Sequence, residues 1–413
     1  MVDFNMGNQN SKKIKVLFLP LHKIVDSSIG SEVRWALDLA LSAAKAGISF
    51  KAVVGTIDSY SADLIRNTGN DLLNLNIEKN IFSSENLLEQ FKFYKALKNQ
   101  LAYTNNFDVI HHAFPVGYGA GFNPIIFEKN FRPFVLGPLL YPRDEQLIKY
   151  YYKIQGLVPV QTKSQLIFKF FTNQVFMNLH KKTLKRADYI IFDTEETRNK
   201  FSTIEPGVLD KKYALLPSCG LEMPIIDLNK KFSATPILNL GILAYFSPLK
   251  RIETAIKGMH IANPKNIKLY IYGTGISENY LRKLTKELRL DRKVQFMGSF
   301  DNKNLTKVMD TIDGVVHLDI NSTLVSATPQ DALRYGKPLI FSNMAKINKI
   351  IEHPYGFQVD KDNPDIIANL FSILDNNPEK FLEKSESARK FAENNFSYNY
   401  VSSVLRSVYE SVV

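Results

Sequence analysis

The run Ile237-Leu238-Asn239-Leu240-Gly241-Ile242-Leu243 is short and apolar, and a polar turn follows at once, Ala244-Tyr245-Phe246-Ser247-Pro248-Leu249-Lys250-Arg251. A run of this length and content reads as a buried strand. A helix-like segment comes next, Ile252 to Ile261. The pattern then recurs as Lys268-Leu269-Tyr270-Ile271-Tyr272, Gly273-Thr274-Gly275 and Glu278 to Leu288. It recurs again as Val294-Gln295-Phe296-Met297, Gly298-Ser299-Phe300 and Leu305 to Thr311. Gly314-Val315-Val316-His317-Leu318, a long polar turn to Pro329, a helix from Gln330 to Tyr335 and the strand Pro338-Leu339-Ile340-Phe341 complete the series. Strands alternating with helices at this spacing predict a parallel sheet with right-handed crossovers. Ligands of such sheets bind beyond the carboxyl ends of the strands, where the glycine and polar turns fall.

Upstream the same alternation begins with Lys15-Val16-Leu17-Phe18-Leu19-Pro20 as a first strand. The turn Ser28-Ile29-Gly30-Ser31-Glu32 and a helical segment from Val33 to Leu41 follow, with Gly47 as a cap. A glycine turn at a helix N-terminus leaves backbone N–H groups free for an anion or hydroxyl; the alternative is that Gly30 and Ser31 only cap the helix. Phe107-Asp108-Val109-Ile110 is a later strand running into His111-His112 and a glycine-rich loop, Val116 to Phe122. A histidine placed there suits orienting a hydroxyl or acting as a base; the alternative is a histidine satisfied by backbone groups. Neighbouring strand residues face opposite ways, so only one of the two can serve a given cleft. Val135 to Leu140, Ala187 to Thr194 and Lys211 to Pro217 are further strands, and Thr194 is placed to cap the helix entered at Glu195-Glu196-Thr197.

The chain has 413 residues, 45% hydrophobic and 23% charged, which fits a globular protein of two domains. The linker Ser218 to Thr235 is the best boundary, giving domains 1–217 and 218–395 and a closing helix 396–413. A single cysteine, Cys219, excludes an intramolecular disulfide and a cysteine-only metal site, and reads as a packed small residue in a reducing compartment. Met1 to Lys13 lacks the apolar core of a signal peptide. No apolar run approaches the roughly 20 residues that span a bilayer. A cytoplasmic protein is expected. The formal charge of +11 favours an anionic partner. Nucleic acid is disfavoured, because neither zinc-finger spacing nor an aromatic–glycine RNA-binding signature is present. Between Leu147 and Arg186, Tyr150-Tyr151-Tyr152, Ile167 to Phe171 and Val175-Phe176-Met177 interleave with Lys149, Lys153, Lys163, Lys181, Lys182, Lys185 and Arg186. Such a stretch can lie on an anionic membrane surface, at the inner face; the alternative is aromatic core with a solvated lysine face.

These motifs, in this order, resemble glycosyltransferase family 4, retaining enzymes of the GT-B fold with two Rossmann-like domains facing across a cleft. The resemblance runs through Gly30 to Ala36, Asp108 to His112, Ala187 to Thr194 and Leu216 to Gly220. It is most specific in Gly273-Thr274-Gly275, Val294 to Gly298 and Asp331-Ala332-Leu333-Arg334-Tyr335-Gly336-Lys337-Pro338. Phe396-Ser397-Tyr398 is similar to the entry of the helix that returns to the first domain.

The resemblance implies a glycosyl transfer from a nucleotide-sugar donor to a glycan, lipid-linked or small-molecule acceptor, with no cofactor and no metal. Lys250 falls where a lysine grips the donor diphosphate, a fixed cation opposite developing charge. Gly273 and Gly275 would let the donor approach the backbone, Phe296 and Met297 would meet the nucleobase, and Asp331 would hold the ribose. His111 or His112 would sit near the sugar or acceptor, and Gly30 and Ser31 near the donor. Two departures stand out. Five residues before Lys250 the family has an arginine, but this chain has Tyr245, with Arg251 as a substitute. Eight residues before Asp331 the family has a glutamate on the transferred sugar, but this chain has Thr323. Backbone N–H groups around Ser326, Ala327 and Thr328 could still hold a diphosphate. The alternative reading is a catalytically degenerate GT-B protein that acts as a binding or scaffold partner in glycan assembly.

Overall fold

The computed structural model describes residues 13–26, 31–77, 87–113, 122–129, 132–140, 145–157, 175, 177–226, 237–320, 326–342 and 347–413. The chain divides into two units, one of Met1–Arg143, Val160–Glu222 and Asn395–Val413, the other of Asp144–Pro159 and Met223–Asn394. Each is built on a seven-stranded sheet.

In the first unit the strands are β1 (Lys15–Val25), β2 (Ser49–Ile57), β3 (Asp71–Asn74), β4 (Val109–His112), β5 (Phe134–Leu139), β6 (Tyr189–Phe192) and β7 (Lys212–Leu215). They lie in the order β3-β2-β1-β4-β5-β6-β7, all parallel. A parallel sheet covered on both faces needs apolar residues at successive positions, and β1 shows this. Val16 and Phe18 enter one core, with Ala36, Leu39, Ala40 and Ala43 of the Ser31–Lys45 helix. Leu17 and Leu19 enter the opposite core, with Phe93 and Leu97 of the Leu87–Gln100 helix.

The closing helix Tyr398–Glu410 completes the first of these cores. Ser397 caps it, accepting from Tyr400 N–H, and Val401, Leu405 and Val408 face inward. Tyr398 Oη donates to Asp38 at 2.9 Å, and Ser402 Oγ donates to the Ser42 carbonyl at 2.7 Å. Cys219 is buried in the same core, where burial raises its thiol well above its ordinary value. Thr194 caps the Glu195–Ile204 helix, accepting from Thr197 N–H at 3.2 Å.

The second unit holds β8 (Leu238–Leu243), β9 (Ile267–Tyr272), β10 (Val294–Gly298), β11 (Gly314–His317), β12 (Leu339–Phe341), β13 (Ile351–His353) and β14 (Gly356–Gln358), in the order β10-β9-β8-β11-β12-β14-β13. All pairs are parallel except the edge hairpin β13–β14. The Ile252–Ala262 and Pro364–Asn376 helices pack on one face, burying Ile256, Met259, Ile367 and Phe371.

The units are bounded at Glu222 and Asn395, beside the expected 1–217, 218–395 and 396–413, and one segment inside the expected first domain changes unit. The Glu145–Ile154 helix, expected in the first domain, belongs to the second unit. Its Tyr151 is 2% exposed and donates to Asp362 at 2.7 Å, and Gln155, just beyond it, accepts from Ser277 Oγ at 2.6 Å. The packing resolves part of the choice left open for Leu147 to Arg186. Tyr151 is core, whereas Lys149, Tyr150, Lys153 and Ile154 are exposed. Ile167 to Phe171 and Phe176 lie outside the described residues.

Candidate functional site

Both sheets reverse their strand order once, between β1 and β4 and between β8 and β11. At such a point neighbouring crossovers leave in opposite directions, and the loops after the two strands open a crevice. In the second unit that crevice is built by the turn after β8, which carries Lys250, and by the chain after β11, which carries Asp319.

Lys250 ends the single helical turn Pro248–Lys250. Its ammonium is bonded to the Asp319 carboxylate. Asp319 is almost fully buried, while the Lys250 side chain keeps 28% of its surface. His317 is buried beside the pair, with Nε2 3.9 Å from the Asp319 carboxylate. Burial, then the Lys250 charge, lowers its pKa to about 4, so it is neutral near pH 7.

Arg251 follows in the left-handed region, φ 48°. Its guanidinium is bonded to Glu253 and to Asp362, the latter at 2.9 Å, and lies 4.6 Å from the Tyr151 ring centroid. Arg251 is 8% exposed. Two carboxylates and a ring hold it, where a second diphosphate clamp is expected. Tyr245, in the place of the expected arginine, is 59% exposed.

Gly273 and Gly275 have φ of 132° and 156°, and a Cβ on either would meet the backbone of the preceding turn, 1.8 Å from the Ala244 carbonyl oxygen or 2.4 Å from that of Phe246. Glycine is required here because two turns touch. Ala244 N–H donates to the Tyr272 carbonyl at 3.0 Å, and Phe246 N–H to that of Thr274 at 2.8 Å. The close approach expected of a donor is thus made by the chain itself, and these glycines shape the turn that presents Lys250. Phe296 is half-buried under Arg282, whose guanidinium is 4.6 Å from the ring centroid, and Met297 is 48% exposed.

The Ala327–Arg334 helix starts against the end of β8, where Thr328 Oγ1 donates to the Leu243 carbonyl at 2.9 Å. Ser326 precedes it in extended conformation, with no side-chain capping bond. The first N–H groups of this helix therefore stand at the same strand end as the Lys250 turn. Asp331, one turn on, receives Arg334 Nε and Nη2 at 2.8 Å, both on Oδ1. That leaves Oδ2 to accept from ligand hydroxyls. Gly30 and Thr323 lie outside the described residues, and Ser31 is placed only as the first residue of its helix.

In the first unit the two histidines point to opposite faces of the sheet, as the strand alternation predicts. His111 Nδ1 lies 2.7 Å from Tyr409 Oη and its Nε2 2.7 Å from the Gly137 carbonyl. The ring is fully buried, and burial lowers its pKa to about 4. With both nitrogens engaged and the ring fully buried, His111 is placed as a packed histidine. His112 is also buried, with Nδ1 3.3 Å from Asn123 Nδ2. Burial, then the charges of His111, His180 and Lys23, lowers its pKa to about 3. His112 keeps 1% of its surface.

Two residues of the site were not read from the sequence. Asp319, directly after a strand, carries no spacing signal. Tyr151 lies in a crossover helix whose packing partner chain order does not reveal.

Two parallel Rossmann-like sheets with basic and glycine turns at the second switch point define the fold class as GT-B, the fold of many glycosyltransferases. Residues 238–396, most of the second unit, match the model of the family described as Glycosyl transferases group 1. An uncharacterized glycosyltransferase of Methanocaldococcus jannaschii is 30% identical over 192 residues, 45% of this chain and 47% of that protein. The match therefore spans about half the length of that relative. Among solved structures, HepE of Anabaena in complex with UDP-glucose superposes with a TM-score of 0.61 at 15% identity, covering 96% of this chain and 100% of that one. Sucrose-phosphate synthase of Thermosynechococcus elongatus gives 0.65 at 14% identity, covering 97% and 99%. At these identities the likeness is one of fold.

Proposed function

We propose that the protein is a retaining glycosyltransferase that moves a sugar from a nucleotide-sugar donor to a glycan, lipid-linked or small-molecule hydroxyl. The observation that carries this reading is Lys250, presented on a glycine-shaped turn at the switch point of the unit that matches the group 1 family. The bond from the anomeric carbon to the diphosphate oxygen breaks, and its electron pair leaves with the nucleoside diphosphate. The acceptor oxygen bonds to the same face of that carbon, and its proton passes to the departing phosphate. Lys250 and the N–H groups of Ala327 and Thr328 meet the charge that develops on the leaving group. Asp331 holds the ribose through Oδ2, and Met297 with Phe296 borders the base. No metal or cofactor enters this scheme. UDP is named in the HepE complexes, which makes UDP-sugars the first donors to try.

The test is consumption of nucleotide-sugars by the purified full chain, alone and with candidate acceptors, beside Lys250→Ala. Turnover that Lys250→Ala abolishes supports the reading. No binding of any nucleoside diphosphate by calorimetry overturns it. A second reading, a binding or scaffold protein of glycan assembly, is favoured by one observation: Arg251 is engaged elsewhere and Tyr245 supplies no charge. Nucleotide binding without turnover would select it.

We also propose contact with an anionic membrane surface through Lys149, Tyr150, Lys153 and Ile154, exposed together on one helix. Among the described residues no helix is long and apolar enough to cross a membrane. Flotation with anionic and neutral liposomes tests the contact, and absence from both floated fractions removes it.

A further inference from the structure

The Lys250–Asp319 pair is asymmetric. Asp319 has 2% of its side chain exposed, and Lys250 has 28%. The backbone that carries Asp319 is fixed from the protein side. Ser342 Oγ donates to the Asp319 carbonyl at 2.9 Å, and Ser342 N–H donates to the His317 carbonyl at 3.2 Å. Ile320 N–H donates to the Leu249 carbonyl at 3.1 Å, which ties the chain after β11 to the turn that carries Lys250. A carboxylate anchored in one turn thus holds an ammonium carried by its neighbour.

An ammonium has three N–H donors on a flexible four-carbon stem. One bond to a buried acceptor fixes where the nitrogen sits and leaves the other donors toward the exposed side. We propose that Asp319 is a positioning residue that holds the Lys250 ammonium in place for the donor diphosphate. The inference rests on the reading of Lys250 as the diphosphate's cation.

Two consequences separate this role from a structural one. Asp319 adds negative charge near a bound diphosphate, so it does not favour ground-state binding. It also removes the freedom of Lys250 before the reaction begins, and so favours the transition state, in which charge on the leaving oxygen is greatest. Removing the carboxylate should therefore lower kcat and leave nucleotide affinity unchanged or higher.

The experiment is a double-mutant cycle on the full chain with Asp319→Asn, Lys250→Ala and the double variant, reading kcat, KM for the donor and the Kd of UDP. Asp319→Asn is expected to lower kcat on the order of ten-fold or more without weakening UDP, as loss of a preorganising group does. In the Lys250→Ala background it should change kcat by less than about two-fold, since coupled residues are non-additive. Asp319→Glu, which keeps the charge, should recover part of the loss. An equal loss in both backgrounds, or a parallel loss of kcat and UDP affinity, overturns the inference. If the unaltered chain binds no nucleoside diphosphate, the functional reading fails first, and this inference with it. A second measurement needs no variant: reductive methylation of the native chain, read by peptide mass spectrometry, should label Lys250 more slowly than the exposed Lys149 and Lys153. Equal labelling rates overturn the inference.

Discussion

The Tyr151 ring covers the guanidinium of Arg251 at 4.6 Å, and the Tyr151 hydroxyl reaches the Asp362 carboxylate that Arg251 also binds. One residue comes from a helix that breaks the sequence of the first unit, the other from the turn that carries Lys250. The helix thus fixes the backbone beside the proposed donor site, at a residue whose φ of 48° is uncommon outside glycine.

Arg251→Ala should destabilise the second unit. Glu253 is 3% exposed and would be left as an uncompensated buried charge. Breaking a buried ion pair from one side costs about 3–5 kcal/mol. Tyr151→Phe removes only the bond to the Asp362 carboxylate and should cost less, about 1.5–3 kcal/mol. Urea unfolding of both variants checks the order, and equal midpoints would refute it.

Stability should fall with acid through the buried histidines. His22 and His112 are lowered to about 3, and His111 and His317 to about 4, from an ordinary value of 6.5. The folded chain therefore takes up these protons later than the unfolded chain. The contribution is complete above pH 6.5 and is lost as pH falls toward 4 and then 3, at about 1.4 kcal/mol per pH unit for each group. Urea midpoints between pH 7.5 and pH 4.5 should decline. His111→Asn should flatten the slope, and an unchanged slope in that variant would exclude His111 as a contributor.

The parts of this fold legible in the sequence are those with a local cause. Strands β8 to β12 are apolar runs closed by turns, and His111 and His112 face opposite ways because a strand alternates. Strands β2, β3, β13 and β14 escaped the reading. In β2 the half-buried Lys51 and Thr56 break the apolar run, and β13–β14 is a three-residue hairpin around His353-Pro354-Tyr355-Gly356. The site was legible as turns and hidden as contacts. Gly273 and Gly275 announce a turn, yet the carbonyls that require them belong to another loop. Asp319 gives no signal until β8 and β11 become neighbours, because only pairing of distant strands brings it to Lys250.

Gly273→Ala should be more damaging than most surface changes. The new Cβ would stand 1.8 Å from the Ala244 carbonyl oxygen, at a φ of 132°. A backbone strain of this kind costs on the order of 1–3 kcal/mol before any displacement of the turn. Since the displaced turn carries Lys250, nucleotide binding should weaken together with stability. A variant with native melting temperature and native UDP affinity would show that the two turns can separate freely.

Lys250 and Asp331 should divide the donor between them, and inorganic pyrophosphate can show it. Asp331→Ala removes the acceptor proposed for the ribose and should weaken UDP by roughly ten-fold or more, the scale of a hydrogen bond to a charged group. It should leave competition by pyrophosphate unchanged, because pyrophosphate has no ribose. Lys250→Ala should weaken both ligands. It also leaves Asp319 buried without its cation, so its melting temperature should fall as well. Loss of pyrophosphate competition in Asp331→Ala would mean that the carboxylate acts through Arg334 and the helix start rather than on the sugar, since Arg334 is the group that shares its Oδ1.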